Sequence, residues 1–340
     1  MTDLAAPGAA DVRIAHGSAG PEPGLEQHRT ALTGYCYRML GSAFEAEDAV
    51  QETLVRAWRS LDRFEPGRAP LRSWLYAIAT NVCIDMLNGR QRRAHPMDLG
   101  PSAAAGTAMG RPLPESTWIE PIPDHRVLPP DGDPAELAVA RESIRLAFVA
   151  ALQHLPPRQR AVLILCEVLR LRAAEVADLL DTTVAAVNSA LQRARATLAT
   201  KRATAAPLAP LDTAQRTLLA RYSAAFERYD VATLVSLLHE DATSSMPPFQ
   251  WWLRGRAQIR AAYLGSDGTC HGSRLVPTMA NGVPAFAQYT PSGTGGTYQP
   301  WALQVIEISG DRIVATTSFL DAARLFPLFG LPAQPDRSRR

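Results

Sequence analysis

The sequence predicts a multidomain chain in which two all-α modules precede an α+β module. Three observations carry this reading. The 340 residues exceed one ordinary domain. Apolar residues recur at helical spacing over about 25–93 and 134–203, whereas 213–333 mixes that spacing with two-residue alternation. Pro-rich punctuation separates the blocks: a polar stretch at 94–138 containing PLPESTWIEPIPDHRVLPPDGDP, and a short hinge, ATAAPLAPLD. Residues 1–24 are rich in Ala, Gly and Pro, lack an apolar h-region and read as a disordered tail rather than a secretory signal. The C-terminal PAQPDRSRR reads as a loose tail.

Composition narrows the function classes. At 46% hydrophobic and 20% charged, the chain is an ordinary globular protein. A net charge of +2 excludes a uniformly basic, histone-like binder. The charge is uneven, at +2 for 25–93, −5 for 94–138, +5 for 139–203 and +1 for 213–335. A domain-sized basic excess at 139–203 is the footprint expected of nucleic-acid binding. Cys36, Cys83, Cys166 and Cys270 lie far apart with no CxxC spacing, so neither zinc, nor any other cofactor, nor a disulfide framework is expected. That usage suits a reduced, cytoplasmic protein, and no apolar run reaches the roughly 18–20 residues of a membrane span.

In block one, AFEAEDAVQETLVRAWRSLDRF (43–64) forms one amphipathic helix with Val50, Leu54, Ala57, Leu61 and Phe64 as its buried stripe. Asp48, Gln51, Glu52 and Arg59 point the other way, as a solvated face or as an acidic docking surface. After the turn EPGRAP, residues 70–93 form a second long helix with Leu71, Leu75, Ile78 and Val82 inward. Arg72, Tyr76, Thr80 and Asn81 lie off that stripe, and Trp74 lies at its border. Arg90, Arg92 and Arg93 close the helix, where cations complement its dipole. Aromatic rings beside Asn and Arg also suit single-stranded DNA, because bases stack on rings and the backbone needs cations.

In block two, Asp133-Pro134 caps a helix running through Leu155. Pro156-Pro157 ends it and starts another, PRQRAVLILCEVLRL. Ala174, Ala177 and Leu180 then pack a short helix, Asp181-Thr182-Thr183 makes a turn, and Val184, Val187, Leu191, Ala194 and Leu198 form the inner stripe of a last helix. Two helices, a three-residue turn and an Arg-bearing second helix fit a helix-turn-helix. Ala185, Ser189, Gln192 and Arg193 face away from the stripe toward base edges, with Arg195, Lys201 and Arg202 placed for phosphates.

Block three reads as helices at about 213–227 and 231–239, then strands near 241–246, 273–280, 284–290, 297–308 and 312–320. A curved sheet wrapped by helices makes a cone. Trp251, Trp252, Tyr263, Tyr289, Trp301 and Phe319 line or fill its interior. His239, His271, Asp230, Asp241 and Asp321 show no spacing that joins them into an acid–base pair, so no catalytic residues are assigned. Asp230 and Asp321 read as helix-start caps.

EDAVQETLVRAW, LRSWLYAIATNVCIDML and LPPRQRAVLIL…AAEVADLLDTTVAAVNSALQRARATL together resemble bacterial sigma factors of the extracytoplasmic-function (ECF) type. The resemblance makes 25–93 sigma domain 2, 94–138 an acidic linker and 139–203 sigma domain 4. LLARYSAAFERYDVATLVSLLHEDATSSMPP and FLDAARLFPLFGLP make 213–333 similar to the SnoaL-like (NTF2-like) domain fused to some members, as in the mycobacterial SigG group. The implied protein is a non-enzymatic sigma factor that binds core RNA polymerase, recognises −35 and −10 promoter elements and promotes melting. Asp48, Gln51 and Glu52 match the face that docks on the clamp coiled coil of the largest subunit. Domain 4 implies a contact with the flap of the second-largest subunit. Trp74, Tyr76, Asn81, Arg90, Arg92 and Arg93 fall in the −10 segment, and 65–70 matches the loop that holds a flipped base. Thr182, Ala185, Ser189, Gln192, Arg193 and Arg195 fall in the −35 reader. Asp181 stands where many members have Gly, and Asp tolerates the left-handed conformation such a turn needs.

The third module is expected to regulate the other two, through contact with domain 4 or polymerase and with a small ligand as a further partner. Two rivals remain: a stand-alone ligand-sensing DNA-binding regulator, and a SnoaL-type cyclase or isomerase with helical accessories. A spacer of about 17 base pairs spans roughly 58 Å. A flexible coil of the connector's length has an r.m.s. length of roughly 35–40 Å and can stretch to about 150 Å, so it bridges that gap without strain.

Overall fold

A computed structural model describes residues 23–65, 67, 70–129, 133–200, 211–265, 270–292 and 297–335. The N-terminal tail to 22, Lys201, Arg202, most of the hinge, three residues of the 65–70 turn and the last five residues lie outside the described residues.

The first module comprises α1 (Pro23–Glu26), α2 (Arg29–Leu40), α3 (Ala43–Arg59) and α4 (Leu71–Leu87). Ser42 caps α3 by accepting a hydrogen bond from the Glu45 amide at 3.2 Å. Val50, Leu54 and Ala57 are buried as the spacing requires, whereas Leu61 and Phe64 are half-buried beyond the helix end. The second long helix stops at Leu87 rather than at 93, because Gly89 turns the chain with φ 76°.

The connector carries α5 (Pro96–Leu99) and α6 (Asp124–Val127). It is not the free coil expected of its composition, because its backbone groups find partners on both neighbours. The amides of Ala103 and Leu113 donate to the carbonyls of Trp252 and Pro248 at 2.8 and 2.9 Å. The Trp252 indole donates to the Gly100 carbonyl at 3.0 Å, and the Glu120 amide donates to the Gly41 carbonyl at 3.0 Å.

The second module comprises α7 (Pro134–Ile144), α8 (Leu146–Gln153), α9 (Pro157–Leu163), α10 (Ala173–Leu179) and α11 (Val184–Ala199). The helix expected to run through Leu155 breaks at Arg145, whose ψ of 140° is extended. This break turns the Arg145 guanidinium toward the third module, where it meets Glu307 at 2.7 Å. After α9 the backbone continues as a π-helical stretch, Ile164–Val168.

The third module comprises α12 (Thr213–Glu227), α13 (Val231–Leu237), β1 (Leu238–Ser245), β2 (Trp252–Arg254), α14 (Arg256–Gly265), β3 (Arg274–Ala280), β4 (Val283–Ser292), β5 (Thr297–Ser309), β6 (Arg312–Phe319) and α15 (Ala322–Leu328). The sequence pattern did not reveal β2 or α14. The sheet order is β2-β1-β6-β5-β4-β3, with β1 and β6 parallel and the other neighbours antiparallel. Its inner face, with Leu275, Phe286 and Ile306, packs with Leu218, Tyr222 and Phe226 of α12. Its outer face carries Ala285, Leu303, Val305 and Phe319, and these join the same apolar cluster as the cores of both helical modules. A sheet face this apolar needs a cover, and the helical modules supply it.

Candidate functional site

Asp48, Gln51 and Glu52 are exposed on α3, opposite its buried Ala46, Ala49, Val50 and Thr53. Glu52 is paired with Arg56 at 2.7 Å, and Arg56 also lies 3.6 Å from Asp85. Trp58 joins this face with 51% of its surface exposed, which sequence reasoning missed. The signal was available: Trp58 follows Gln51 by seven residues, two helical turns on the same side. Trp is among the residue types enriched as anchors in protein–protein contacts.

Along α4, Trp74 is half-buried with its ring 5.1 Å from that of Phe64, and Asn81 is exposed. Tyr76 does not fit the expected role. It is 1% exposed, edge-on to Tyr35 of α2 at 5.3 Å, and it shares a cavity with Leu137, Ala140 and Leu169 of the second module. Arg93 is corrected for a similar reason. It is buried, bonds the carbonyls of Glu115 and Trp118 at 2.9 and 2.5 Å, and meets Glu45 at 2.8 Å. Both are packing residues here. Arg90 is exposed and pairs with Glu45 at 2.5 Å, and Arg92 is exposed against His154.

The helix-turn-helix forms where the spacing puts it. Asp181 adopts φ 48°, the left-handed conformation that Asp tolerates, and the Thr183 hydroxyl caps α11 by accepting from the Ala186 amide at 3.1 Å. Thr182, Ala185, Ser189, Gln192, Arg193 and Arg195 are all exposed. The Arg193 guanidinium donates to the Ser189 hydroxyl at 2.6 Å, whereas Arg195 is drawn to Glu167 at 3.0 Å. Val187, Ala194 and Leu198 are buried as expected, but Val184 is 43% exposed at the first turn, and Ala174 of α10 is exposed with Val176 buried in its place.

Two buried cations join the helical modules. The Arg38 guanidinium donates to the Ser143 hydroxyl at 2.7 Å and the Gly34 carbonyl at 2.5 Å. Arg160 reaches the carbonyl of Met39 and the Gln153 side chain at 2.7 Å. Burial lowers both to about 10, so each stays charged at neutral pH.

The cone interior holds a line of neutral hydrogen bonds. Tyr222 donates to Gln304 at 2.9 Å, Gln304 to Gln288 at 2.8 Å, and Gln288 to Ser273 at 3.1 Å. The titratable candidates do not converge there. His239, Asp241 and His271 are exposed, Asp230 caps α13 through the Thr233 amide at 3.0 Å, and Asp321 lies 3.3 Å from Arg324. Tyr289 and Phe319 belong to the outer sheet face, with Tyr289 edge-on to Phe326 at 5.1 Å.

Comparison with known proteins matches three family models: sigma-70 region 2 over residues 25–93, sigma-70 region 4 over 145–198, and a SnoaL-like domain over 219–316. The ECF RNA polymerase sigma factor SigG of Mycobacterium tuberculosis is 46% identical over 334 residues, covering 95% of this chain and 86% of that protein. SigW of Bacillus subtilis, also an ECF RNA polymerase sigma factor, is 31% identical over 51% of this chain and 84% of its own length. The crystal structure of the ECF sigma factor SigJ of M. tuberculosis superposes with a TM-score of 0.58 at 24% identity, over 91% of this chain and 99% of that one, and so shares the fold.

Proposed function

This chain belongs to the ECF family of RNA polymerase sigma factors, and from that premise we propose how its surfaces divide the work. As a member of the family it partners core RNA polymerase and promoter DNA in promoter-specific initiation. Its site of action is that of the polymerase, the cytoplasm. The exposed face of α3, with Asp48, Gln51, Glu52 and Trp58, docks on the clamp coiled coil of the largest subunit. The second module meets the flap of the second-largest subunit. Trp74 and Asn81, with Arg90 and Arg92, hold unpaired −10 bases. Thr182, Ala185, Ser189, Gln192, Arg193 and Arg195 face the −35 duplex. With Ala185 and Ala186 on the reading helix, base contact leans on thymine methyls and DNA shape.

The observation that supports this reading is the exposure of the α3 face and of the outer side of α11, each opposite a stripe of the same helix that is buried in the shared core. We assign the SnoaL-like module a modulatory, non-enzymatic role exerted in cis. The sheet face it shares with the helical core supports this, as does the neutral polar line in its interior. Polymerase does the bond-making chemistry. Deleting the module is a poor probe, because it would strip the cover from a shared apolar core. Arg324→Ala is better, since Arg324 sits 4.1 Å over the Phe44 ring at the start of the docking helix. Promoter-specific run-off by reconstituted holoenzyme should change several-fold in this variant at equal folding. Unchanged yield in both Arg324→Ala and Glu307→Gln would refute modulation in cis.

A further inference from the structure

The tip of the β3–β4 hairpin is the two-residue turn Asn281-Gly282, closed by the pair Ala280 and Val283. Both residues have positive φ, 55° and 75°, as a two-residue hairpin of this twist requires. Such tips ordinarily face water, yet Asn281 is 0% exposed. Its side-chain amide donates to the Tyr37 hydroxyl of domain 2 and to the Ile144 carbonyl of domain 4, each at 2.6 Å. Its side-chain carbonyl accepts from the Ile122 amide of the connector at 3.0 Å. The next amide, of Gly282, donates to Asp124 at 2.8 Å, and a side chain at Gly282 would lie 3.0 Å from the Arg141 carbonyl of α7. One asparagine of the third module therefore bonds the other three parts of the chain.

The arrangement it holds is too short for a promoter. Helix α10 packs on α4, and α11 packs on α10. Packed helices sit about 8–10 Å apart, so the −10 helix and the −35 reading helix are separated by roughly 20 Å. The elements they read are roughly 58 Å apart on straight duplex. Domain 4 has to leave domain 2 before both are read at once. The contact between Asn281 and the Ile144 carbonyl is one that this movement breaks. The docking face of α3 is exposed in the closed arrangement, so clamp docking can precede opening.

We propose that the Asn281-Gly282 hairpin tip is a latch that holds domains 2 and 4 closed, and that promoter engagement releases domain 4 from it. The proposal rests on the family reading above and adds the device through which the third module acts. Asn281→Asp keeps the size and the tolerance for positive φ but removes the amide donor and turns a carboxylate oxygen on the Ile144 carbonyl. Tyr37→Phe removes one hydroxyl and leaves the turn intact.

The test measures the distance between spin labels on exposed Asp62→Cys and Thr200→Cys, in full-length protein with Cys166 and Cys270 changed to Ser. Wild type should give one short distance. Asn281→Asp should raise the long-distance population at least tenfold, and Tyr37→Phe about threefold. Unchanged distances in cooperatively folded Asn281→Asp overturn the latch. If that variant unfolds, unchanged distances in Tyr37→Phe overturn it. Opened distances with unchanged run-off yield support the latch and overturn modulation in cis instead. Closed distances with altered yield in Arg324→Ala keep modulation and overturn the latch.

Discussion

The Arg145–Glu307 pair offers the sharpest test of the contact between domain 4 and the SnoaL-like sheet. The Arg145 side chain is only 5% exposed and that of Glu307 21%, at 2.7 Å. Removing one partner of a buried pair costs about 3–5 kcal/mol, because the other charge stays desolvated. Two features lower that figure here: Glu307 keeps some water, and Glu142 lies 3.6 Å from the same guanidinium. Glu307→Gln should therefore destabilise the closed chain by about 2–3 kcal/mol, roughly 30- to 150-fold in the equilibrium between domains together and apart. Arg145→Met should cost a similar amount, and the double variant much less than the two combined. Urea unfolding followed by tryptophan fluorescence gives the four stabilities. A coupling below about 0.5 kcal/mol would show that the two side chains do not meet in solution, and the domain 4 contact with the sheet would fall with it.

Three further predictions follow the same surfaces. Asp48→Lys with Glu52→Lys should weaken core-polymerase binding by tenfold or more at intact helicity, and Trp58→Ala should weaken it several-fold, both measured by fluorescence anisotropy; unchanged affinity in either removes that residue from the docking face. Trp74→Ala or Asn81→Ala should reduce permanganate-reactive thymines in the promoter bubble more than duplex binding, whereas Arg193→Ala should weaken −35 duplex binding by about 1–3 kcal/mol. If Trp74→Ala opens promoters normally, Trp74 is a packing residue like Tyr76. The third concerns pH. Burial pushes the carboxyls of Glu120 and Asp124 above their ordinary values, more than Ser42 and the Gly282 amide pull them down. Protonation therefore favours the closed form. That contribution is full below the ordinary carboxylate range and is lost as pH rises through the raised values. The closed population, read by the same spin-label distance, should fall as pH rises above the ordinary carboxylate range; a rise would contradict the assignment.

Periodicity made the elements legible where one face met solvent. The stripes Val50, Leu54, Ala57 and Val187, Ala194, Leu198 follow directly from helical spacing; the alternation over Ala302–Ile308 also marks a strand, although Ala302 to Ile306 are buried on both of its faces. It failed where a second module covers the polar side. Tyr76 lies off the stripe of α4, yet it is buried against Tyr35 of α2 and beside Leu137 and Ala140 of α7. Arg38, Arg93 and Arg160 look like surface cations in sequence, but they are buried because carbonyls and a hydroxyl from elsewhere in the chain satisfy them. The connector looked like a solvated coil for the same reason: hydrogen bonds to partners some 150 residues away leave no local signature. Asn281-Gly282 was readable as a turn, but nothing local announces that its amide serves three other segments. The helix-turn-helix and the polar face of α3 were legible because each lies opposite a buried apolar stripe of ordinary helical spacing.

The most direct measurement is transcription of a genomic DNA library by core polymerase with and without the chain, with RNA 5′ ends read by sequencing. With the chain present there should be a new set of start sites, each preceded by two sequence blocks about 17 base pairs apart, that disappears when Asp48 and Glu52 are changed to Lys. Start sites identical with and without the chain, under conditions where it co-elutes with core polymerase, would contradict that expectation.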